Sequence, residues 1–478
     1  MKNHPTSSRK ESSGSRNLVR RSAEWSFSQF RKFDLHSGRS LLFFWFLTRI
    51  LIFVIWVVFS PSAQGDVLYY YQGINSLFTG TDPSLVMREY PTPVLWMLAV
   101  FWLTGFGTKT GYVISFIFSM VALDALFSIS LWHTAKRLAP HAVAAWIVFV
   151  LCCGPTIYMR FDLVTSVFAG WCLLFLLRRH TAIAGCLAAV GASVKLWPAL
   201  LWPALCGGHW RQKLKATYSF ALTGIIVVAV SLLWAGWDRL VSPLSWQSGR
   251  GLQVESVWAT VPMLLRALGI GDYAVLISRY QAFEVYGTTV SFWTSAASIA
   301  FVVGVLLVCV CYGLWLLRGH GHMMEASYFM LLVILVMIVT NKTFSPQYAF
   351  WLGGPLCASF AIMGARAPGS PSYVIDRRRL WIITAMTITM TAATGIVYPI
   401  GYGPLVRDGG LSSIFRLPVT LVLVSRNVLI VALLAVILYW IFKAVSPRAF
   451  KIVRGVKTDY PTVALEPVKQ PEKPEAEW

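Results

Sequence analysis

Apolar runs long enough to cross a bilayer alternate with short polar breaks along almost the whole chain. The first covers residues 41–60. Others follow near 91–107, 111–134, 142–158, 163–177 and 181–207, then at 217–236, 289–317, 325–341, 346–364, 380–400 and 419–443. This pattern predicts an all-α integral membrane protein, a helical bundle of roughly 10–12 membrane segments. Residues 1–40 are polar and basic, with Lys2, Arg9, Lys10, Arg16, Arg20, Arg21, Arg31, Lys32 and Arg39. They are expected in the cytoplasm by the positive-inside rule, in reach of anionic lipid. They do not look like a cleavable signal, so the first span is expected to double as a signal anchor. The stretch 444–478, rich in Pro, Lys and Glu, reads as a disordered cytoplasmic extension. Between the two tails, 41–443 forms one transmembrane domain.

Sidedness then follows from the breaks. The first span delivers 61–92, a polar and turn-rich segment, to the outside. Counting each of the next five apolar runs as a full span would put Lys136, Arg137, Arg178 and Arg179 outside, against the charge rule. Treating 91–107 as re-entrant and 181–207 as a hairpin broken near Lys195-Leu196-Trp197-Pro198 keeps all four inside. Non-helical backbone at membrane depth is tolerated where protein buries it or it lines a wet cavity. That layout, the one preferred, also places Arg160, Asp162 and Lys195 outside. The later spans leave 237–288, the region around 342–346, and 401–418 as outer loops, with Arg318 and Arg377-Arg378-Arg379 inside. No internal repeat suggests the inverted halves of a secondary transporter.

Composition narrows the function classes. Of 478 residues, 56% are hydrophobic, and a mean hydropathy of +0.63 excludes a soluble globular protein. The formal charge of +21 would suit nucleic acid, but its basic residues fall in short clusters between spans, where they orient helices. Nucleic acid is therefore not an expected partner; the bilayer is. The eight cysteines, Cys152, Cys153, Cys172, Cys186, Cys206, Cys309, Cys311 and Cys357, lie in apolar segments without metal spacing and read as packing residues. His320 and His322 sit in a segment expected inside, and their spacing alone is a poor metal signal. No metal or other cofactor is expected. Asn341-Lys342-Thr343 has the form of a glycosylation sequon, but at a span edge.

The unusual polar residues gather on the outer side. Asp66 and Glu89 lie in the first outer loop, among Tyr69, Tyr70, Tyr71 and Tyr90. Arg250, Gln253 and Glu255 lie in the loop after the span ending near Trp237. Lys342 and Gln347 join two later spans, and Arg160, Asp162 and Lys195 reach the same face. Such convergence suggests one site. A carboxylate can take the proton of an acceptor hydroxyl. Arginine and lysine can hold a phosphate as it leaves. Tyrosines and Trp246 suit the flat faces of sugar rings. Each also has a plainer role: Asp66 suits a helix N-cap or a solvated loop acid, Glu89 a cap for the re-entrant segment, and the tyrosines an interfacial belt. Arg49 and Asp124 lie inside spans and need partners there, as structural contacts.

Taken together, these segments resemble the GT-C-fold, polyprenyl-phosphate-sugar-dependent glycosyltransferases of actinobacteria, in particular the α-1,2-mannosyltransferase and arabinofuranosyltransferase group, glycosyltransferase family 87. The resemblance rests on Gly65-Asp66-Val67 with Tyr70 or Tyr71, Leu77-Phe78-Thr79-Gly80, Glu89-Tyr90-Pro91, Arg160-Phe161-Asp162-Leu163-Val164, Val194-Lys195-Leu196-Trp197-Pro198, Arg250 to Ser256, and Asn341 to Tyr348. It runs in order through about residues 40–365. Tyr90-Pro91-Thr92-Pro93 departs from it where the family often shows two consecutive prolines, which bears on local loop shape. The resemblance implies Asp66 as catalytic base, a polyprenyl-phosphate sugar donor in place of a nucleotide sugar, and a glycolipid or lipoglycan acceptor on the outer leaflet. A β-linked mannosyl phosphate would be inverted to an α-mannoside. Charge and sidedness make Arg160, Lys195, Arg250 and Lys342 candidates for the lipid phosphate. An arabinofuranosyltransferase, a transporter of lipid-linked sugars, and a non-catalytic assembly partner remain as alternatives.

Overall fold

A computed structural model describes residues 37–317 and 323–445. Most of the basic N-terminal stretch, Arg318, His320, His322 and nearly all of the Pro-rich C-terminal stretch lie outside the described residues. Helices dominate, as the hydropathy pattern predicts. In chain order they are α1 (Gly38–Phe59), α2 (Gly65–Phe78), α3 (Thr92–Thr104), α4 (Lys109–Thr134), α5 (Ala139–Cys153), α6 (Asp162–Leu177), α7 (Thr181–Val194) and α8 (Trp210–Ser248). After α9 (Thr260–Ala267) comes a two-stranded antiparallel hairpin, β1 (Tyr273–Ile277) and β2 (Phe283–Gly287), with Val275 opposite Val285. The chain continues through α10 (Val290–Leu317), α11 (Met323–Val339), α12 (Gly353–Gly364), α13 (Pro371–Gly395), the short α14 (Tyr402–Val406) and α15 (Gly410–Val445).

Seven helices among the described residues are long and apolar enough to cross a membrane: α1, α4, the segment Lys136–Cys153 containing α5, α8, α10, the segment Pro371–Ile400 containing α13, and Ser412–Val445 within α15. This is a multi-pass membrane protein. The other apolar segments are shorter. The 13 residues of α3 rise only about 20 Å, against a hydrocarbon core of about 30 Å, which fits the re-entrant reading of 91–107. The break expected near Lys195 also forms: α7 stops at Val194, and a 3-10 helix, Trp197–Cys206, takes over where Pro198 and Pro203 interrupt regular α geometry.

Three segments differ from the sequence reading. The turn-rich 61–92 is largely helical, because Val67, Tyr70 and Ile74 give α2 one buried face. The apolar run at 346–364 is not one continuous α-helix but a 3-10 helix, Pro346–Leu352, joined to α12. The outer loop expected to begin at 237 starts with helix, since α8 continues to Ser248 beyond a kink at Gly236, whose φ of 76° is costly for any residue with a Cβ.

All residues of α12 are buried, and α5, α6, α11 and α13 pack around it. Small residues let the backbones approach. A Cβ on Gly354 would lie 1.8 Å from the Ser166 carbonyl oxygen of α6. The Ser166 hydroxyl locks the same crossing, donating to Phe350 O (2.6 Å) and accepting from Gly354 N (3.0 Å). Gly354→Val is therefore expected to cost at least about 1–3 kcal/mol through overpacking. A thermal melt in detergent checks this, and an unchanged melt would remove the crossing as a stability determinant.

Intramembrane charge is compensated. Arg49 of α1 binds Asp124 of α4 through Nε (2.9 Å) and Nη2 (2.7 Å), while Trp146 Nε1 and Tyr158 Oη each donate to the same carboxylate at 2.7 Å. The two charges are each other's structural partners, as the cost of burying either alone demands. Apolar side chains such as Phe43, Phe46, Ile225, Ile226, Val302 and Leu306 stay exposed on the outer helices, as lipid contact requires.

Candidate active site

Where α1 ends, a 3-10 turn, Pro61–Gln64, swings the chain into α2 and puts Asp66 in its first helical turn. The free N–H groups and dipole of a helix N-terminus favour an anion there. The link from α5 to α6 brings Arg160 opposite, and the two side chains form an ion pair, 25% and 13% exposed. Burial raises the Asp66 carboxyl above its ordinary value, Arg160 opposes the shift, and Asp162 adds to it. The pair thus joins an acid of raised basicity to a cation that opposes the shift.

Aromatic rings wall this pair. Tyr70 lies 5.4 Å from Phe161 and 5.9 Å from Tyr90, ring centroid to centroid, and Tyr90 lies 5.1 Å from Phe161. Tyr69 Oη donates to Glu89 at 2.5 Å, so Glu89 is tied back to α2. The segment 87–90 is pinned from behind by the fully buried Arg239, whose Nη1 donates to Tyr90 O (2.7 Å) and Nη2 to Met87 O (3.3 Å).

Asp162 and Lys195 meet each other. Lys195 Nζ lies 2.5 Å from Asp162 Oδ1, which also accepts from Trp351 Nε1 at 2.8 Å. The ammonium sits 5.1 Å from both the Tyr348 and Trp351 ring centroids and 5.7 Å from Phe161. This clasp closes the break after α7 onto α6 and the Pro346–Leu352 helix.

A second group of predicted residues converges from 247–256 and 341–347. Gln253 N donates to Lys342 O (3.1 Å) and its Nε2 to Ser345 Oγ (3.2 Å). Gln247 Nε2 donates to Thr343 Oγ1 (2.9 Å), and Lys342 Nζ to Ser248 O (2.8 Å). The Asn341 side chain accepts from Thr343 N and Oγ1, which engages the sequon asparagine. Gly251 N donates to Glu284 of β2 at 3.0 Å, so the hairpin braces this loop. Glu255, fully buried, pairs with Arg426 of α15 at 3.4 Å, and Arg426 Nη2 also donates to Glu255 O (2.8 Å). Burial pushes the Glu255 carboxyl up to about 7, with Arg426 and then Arg160 pulling against it. The field of Arg160 therefore reaches both carboxylates, Asp66 and Glu255.

Several buried polar atoms here find no partner among the described residues: Arg160 Nε, Arg250 Nε, Gln253 Oε1, Glu255 Oε1 and Gln347 Oε1. Buried polar groups are normally satisfied. These five, on residues singled out from the sequence, and Arg239 Nε, Arg426 Nε and Asn427 Oδ1 beside them leave hydrogen-bonding capacity for water or a ligand. Arg239, Trp351, Arg426 and Asn427 were not anticipated. A charge in the middle of an apolar span, the cue that flagged Arg49, was available for Arg426.

The family model for glycosyltransferase family 87 matches residues 89–346, more than half of the chain. The match takes in Glu89, Tyr90, Arg160, Asp162, Lys195, the Arg250–Glu255 loop and Lys342. Asp66 precedes it, and Gln347 and Arg426 follow it. No curated protein matches the chain. The matched span, the multi-pass helical fold and the residues carrying the resemblance agree: the chain belongs to glycosyltransferase family 87 and is a membrane glycosyltransferase.

Proposed function

We propose that the enzyme transfers a mannosyl residue from polyprenyl-phosphate mannose to a glycolipid or lipoglycan acceptor at the outer leaflet of the plasma membrane, with inversion to an α-mannoside. The observation that carries this reading is the Asp66–Arg160 pair: a partly accessible carboxylate of raised basicity, held by a cation inside an aromatic wall. In the reaction, the acceptor hydroxyl oxygen attacks the anomeric carbon from the face opposite the phosphate. Its proton passes to the Asp66 carboxylate. The bond between the anomeric carbon and the phosphate oxygen breaks, and its electron pair leaves with the polyprenyl phosphate. Arg160 orients the base.

The departing phosphate gains a charge and needs cations. Arg250 and Lys342 supply them. Burial lowers Lys342 below its ordinary value; Glu284 opposes that shift, while the neighbouring Arg250 adds to it. An arriving phosphate relieves the repulsion between the two cations. Gln253 and Gln347 offer the sugar their free amide oxygens, and Tyr90 a ring edge. Asp162 and Lys195, which neutralise each other, hold the Phe161 wall in place.

Arg250→Ala is expected to raise KM for the lipid-phosphate donor about ten-fold, as the loss of one charge-assisted contact implies. The acceptor KM should stay near wild type, and an unchanged donor KM would take Arg250 out of the site. The function itself is tested with purified protein, membrane glycolipid extract as acceptor, and synthetic polyprenyl-phosphate mannose and polyprenyl-phosphate arabinofuranose as donors. Transfer of mannose supports the reading. Transfer from the arabinose donor alone would keep the mechanism and move the enzyme to arabinan synthesis.

A further inference from the structure

α13 ends at Gly395, and regular helix breaks down before α14 begins at Tyr402. Pro399 causes the break. Its ring disfavours helical backbone at the residue before it, and Tyr398 is extended there, with φ −134° and ψ 128°. Two tight contacts fix where the break sits. A Cβ on Gly395 would lie 2.9 Å from the Cys152 carbonyl oxygen of α5, just before the link that carries Arg160. Val397, fully buried, shares one cluster with Leu252 and Val254 of the 250–256 loop and with Leu405 of α14. Tyr398 therefore stands between two stretches that supply the candidate site.

Its ring is held edge-on to Tyr402, with centroids 5.0 Å apart, and Tyr402 is edge-on to Phe283 of β2 at 5.7 Å. Its hydroxyl accepts a hydrogen bond from the Arg160 guanidinium. Arg160 thus has two oxygen partners of different kinds, the Asp66 carboxylate and the Tyr398 hydroxyl, while its Nε has none among the described residues. One ion pair leaves a guanidinium free to turn about its partner, and a second contact sets its plane. A neutral hydroxyl does this without drawing charge away from Asp66, as a second carboxylate would.

The other titratable groups acting on or from Asp66 are engaged elsewhere or stand further along the wall. Asp162 of α6 is paired with Lys195. Tyr69 of α2 donates to Glu89, and Tyr70 of α2 is hydrogen-bonded to Tyr90 of the 87–90 segment. Tyr402 of α14 feels Glu255 before Arg160 and Asp66.

We infer that Tyr398 is a positioning residue of the transferase, its hydroxyl holding the Arg160 guanidinium in the plane that faces the Asp66 carboxylate. The inference rests on the reading above of Asp66 as base and Arg160 as the cation that orients it. It extends the functional site past the residues matched by the family model, which end at 346.

Tyr398→Phe removes the hydroxyl and keeps the ring against Tyr402, so the variant should melt close to wild type. With polyprenyl-phosphate mannose and membrane glycolipid extract, its kcat is expected to fall about ten-fold, as for the loss of one charge-assisted contact, with KM for donor and acceptor near wild type. The distinguishing readout is the Asp66 pKa. A guanidinium less firmly held opposes the raised carboxyl less, so the acid limb of kcat/KM should move to higher pH by about half a unit. The sign follows because a base acts above its pKa and fails as pH falls through it. Infrared difference spectra of the carboxyl band, each protein against its own Asp66→Asn counterpart, read the same shift without turnover. Tyr402→Phe, in which Tyr398 keeps its hydroxyl, should show neither effect. An unmoved Asp66 pKa in Tyr398→Phe overturns the inference even if kcat falls, because lost packing would then account for the fall. A raised KM with kcat unchanged also overturns it, by making Tyr398 a substrate contact. So does an equal pKa shift in Tyr402→Phe, which would assign the effect to the packing of α14. Failure of the glycosyl-transfer reading shows separately, as absence of transfer by wild type from either donor, while the infrared arm still reports whether Tyr398 governs the pair.

Discussion

Asp66→Asn is expected to abolish transfer, lowering kcat/KM by at least about 100-fold, the lower end for removal of a positioned base. The amide keeps an oxygen to accept from Arg160 and nearly the same volume, so the fold should survive; a melt within a few degrees of wild type checks that. The second signature is the pH profile. A base must be ionised to act, so activity is present above the Asp66 pKa and lost as pH falls through it. Burial raises that pKa, so the acid limb should lie above the usual aspartate range. Asp66→Glu retains a carboxylate one methylene longer and should keep a pH limb while losing rate through misplacement. Near-normal turnover by Asp66→Asn sinks the assignment of the base, even if the enzyme proves to be a mannosyltransferase.

The reach of sequence reading here follows from the kind of physics each feature obeys. Membrane segments are local: a long apolar helix satisfies its own backbone, so α1, α4, α8, α10 and α15 could be read from consecutive residues alone. Pro198 and the polar Lys195 similarly marked the break after α7. The break at 346–364 was less visible, because Pro346 stood at its edge and Gly353-Gly354 reads as ordinary small-residue packing until Ser166 is found against it. The gathering of polar residues at one face also followed from local data, namely parity and charge. Their pairing did not. Asp162 with Lys195, and Glu255 with Arg426, are separated by 33 and 171 residues, and nothing in a sequence sets such registers. Charge and sidedness make Arg160 and Lys195 candidates for a lipid phosphate; that each faces a carboxylate in the fold is not legible in the sequence.

Arg426→Leu is the substitution expected to damage the fold most. Arg426 is 1% exposed, in the middle of an apolar helix, and its only carboxylate partner among the described residues is the fully buried Glu255. Removing one member of such a pair strands the other, at a cost of about 3–5 kcal/mol. The loss should depend on pH with a definite sign. Glu255 already titrates near 7 because burial outweighs the pull of Arg426; without the guanidinium its folded-state pKa rises further. A carboxyl whose folded pKa lies above its unfolded value contributes its stability below the unfolded pKa and loses it as pH rises through the folded one. Arg426→Leu should therefore melt far below wild type at about pH 8 and recover part of the difference at about pH 5.5, where Glu255 is neutral. Combining it with Glu255→Gln should flatten that dependence and restore stability at the higher pH, because no buried charge remains to be stranded. The double variant also separates fold from chemistry: if it melts like wild type but transfers slowly, Glu255 acts in the site as well as under it. Equal losses for Arg426→Leu at both pH values would show that the pair carries no net charge coupling, and that α15 is held by its other contacts, among them Asn427 Nδ2 donating to Ser256 O and Thr260 Oγ1, and the Arg416–Asp408 pair.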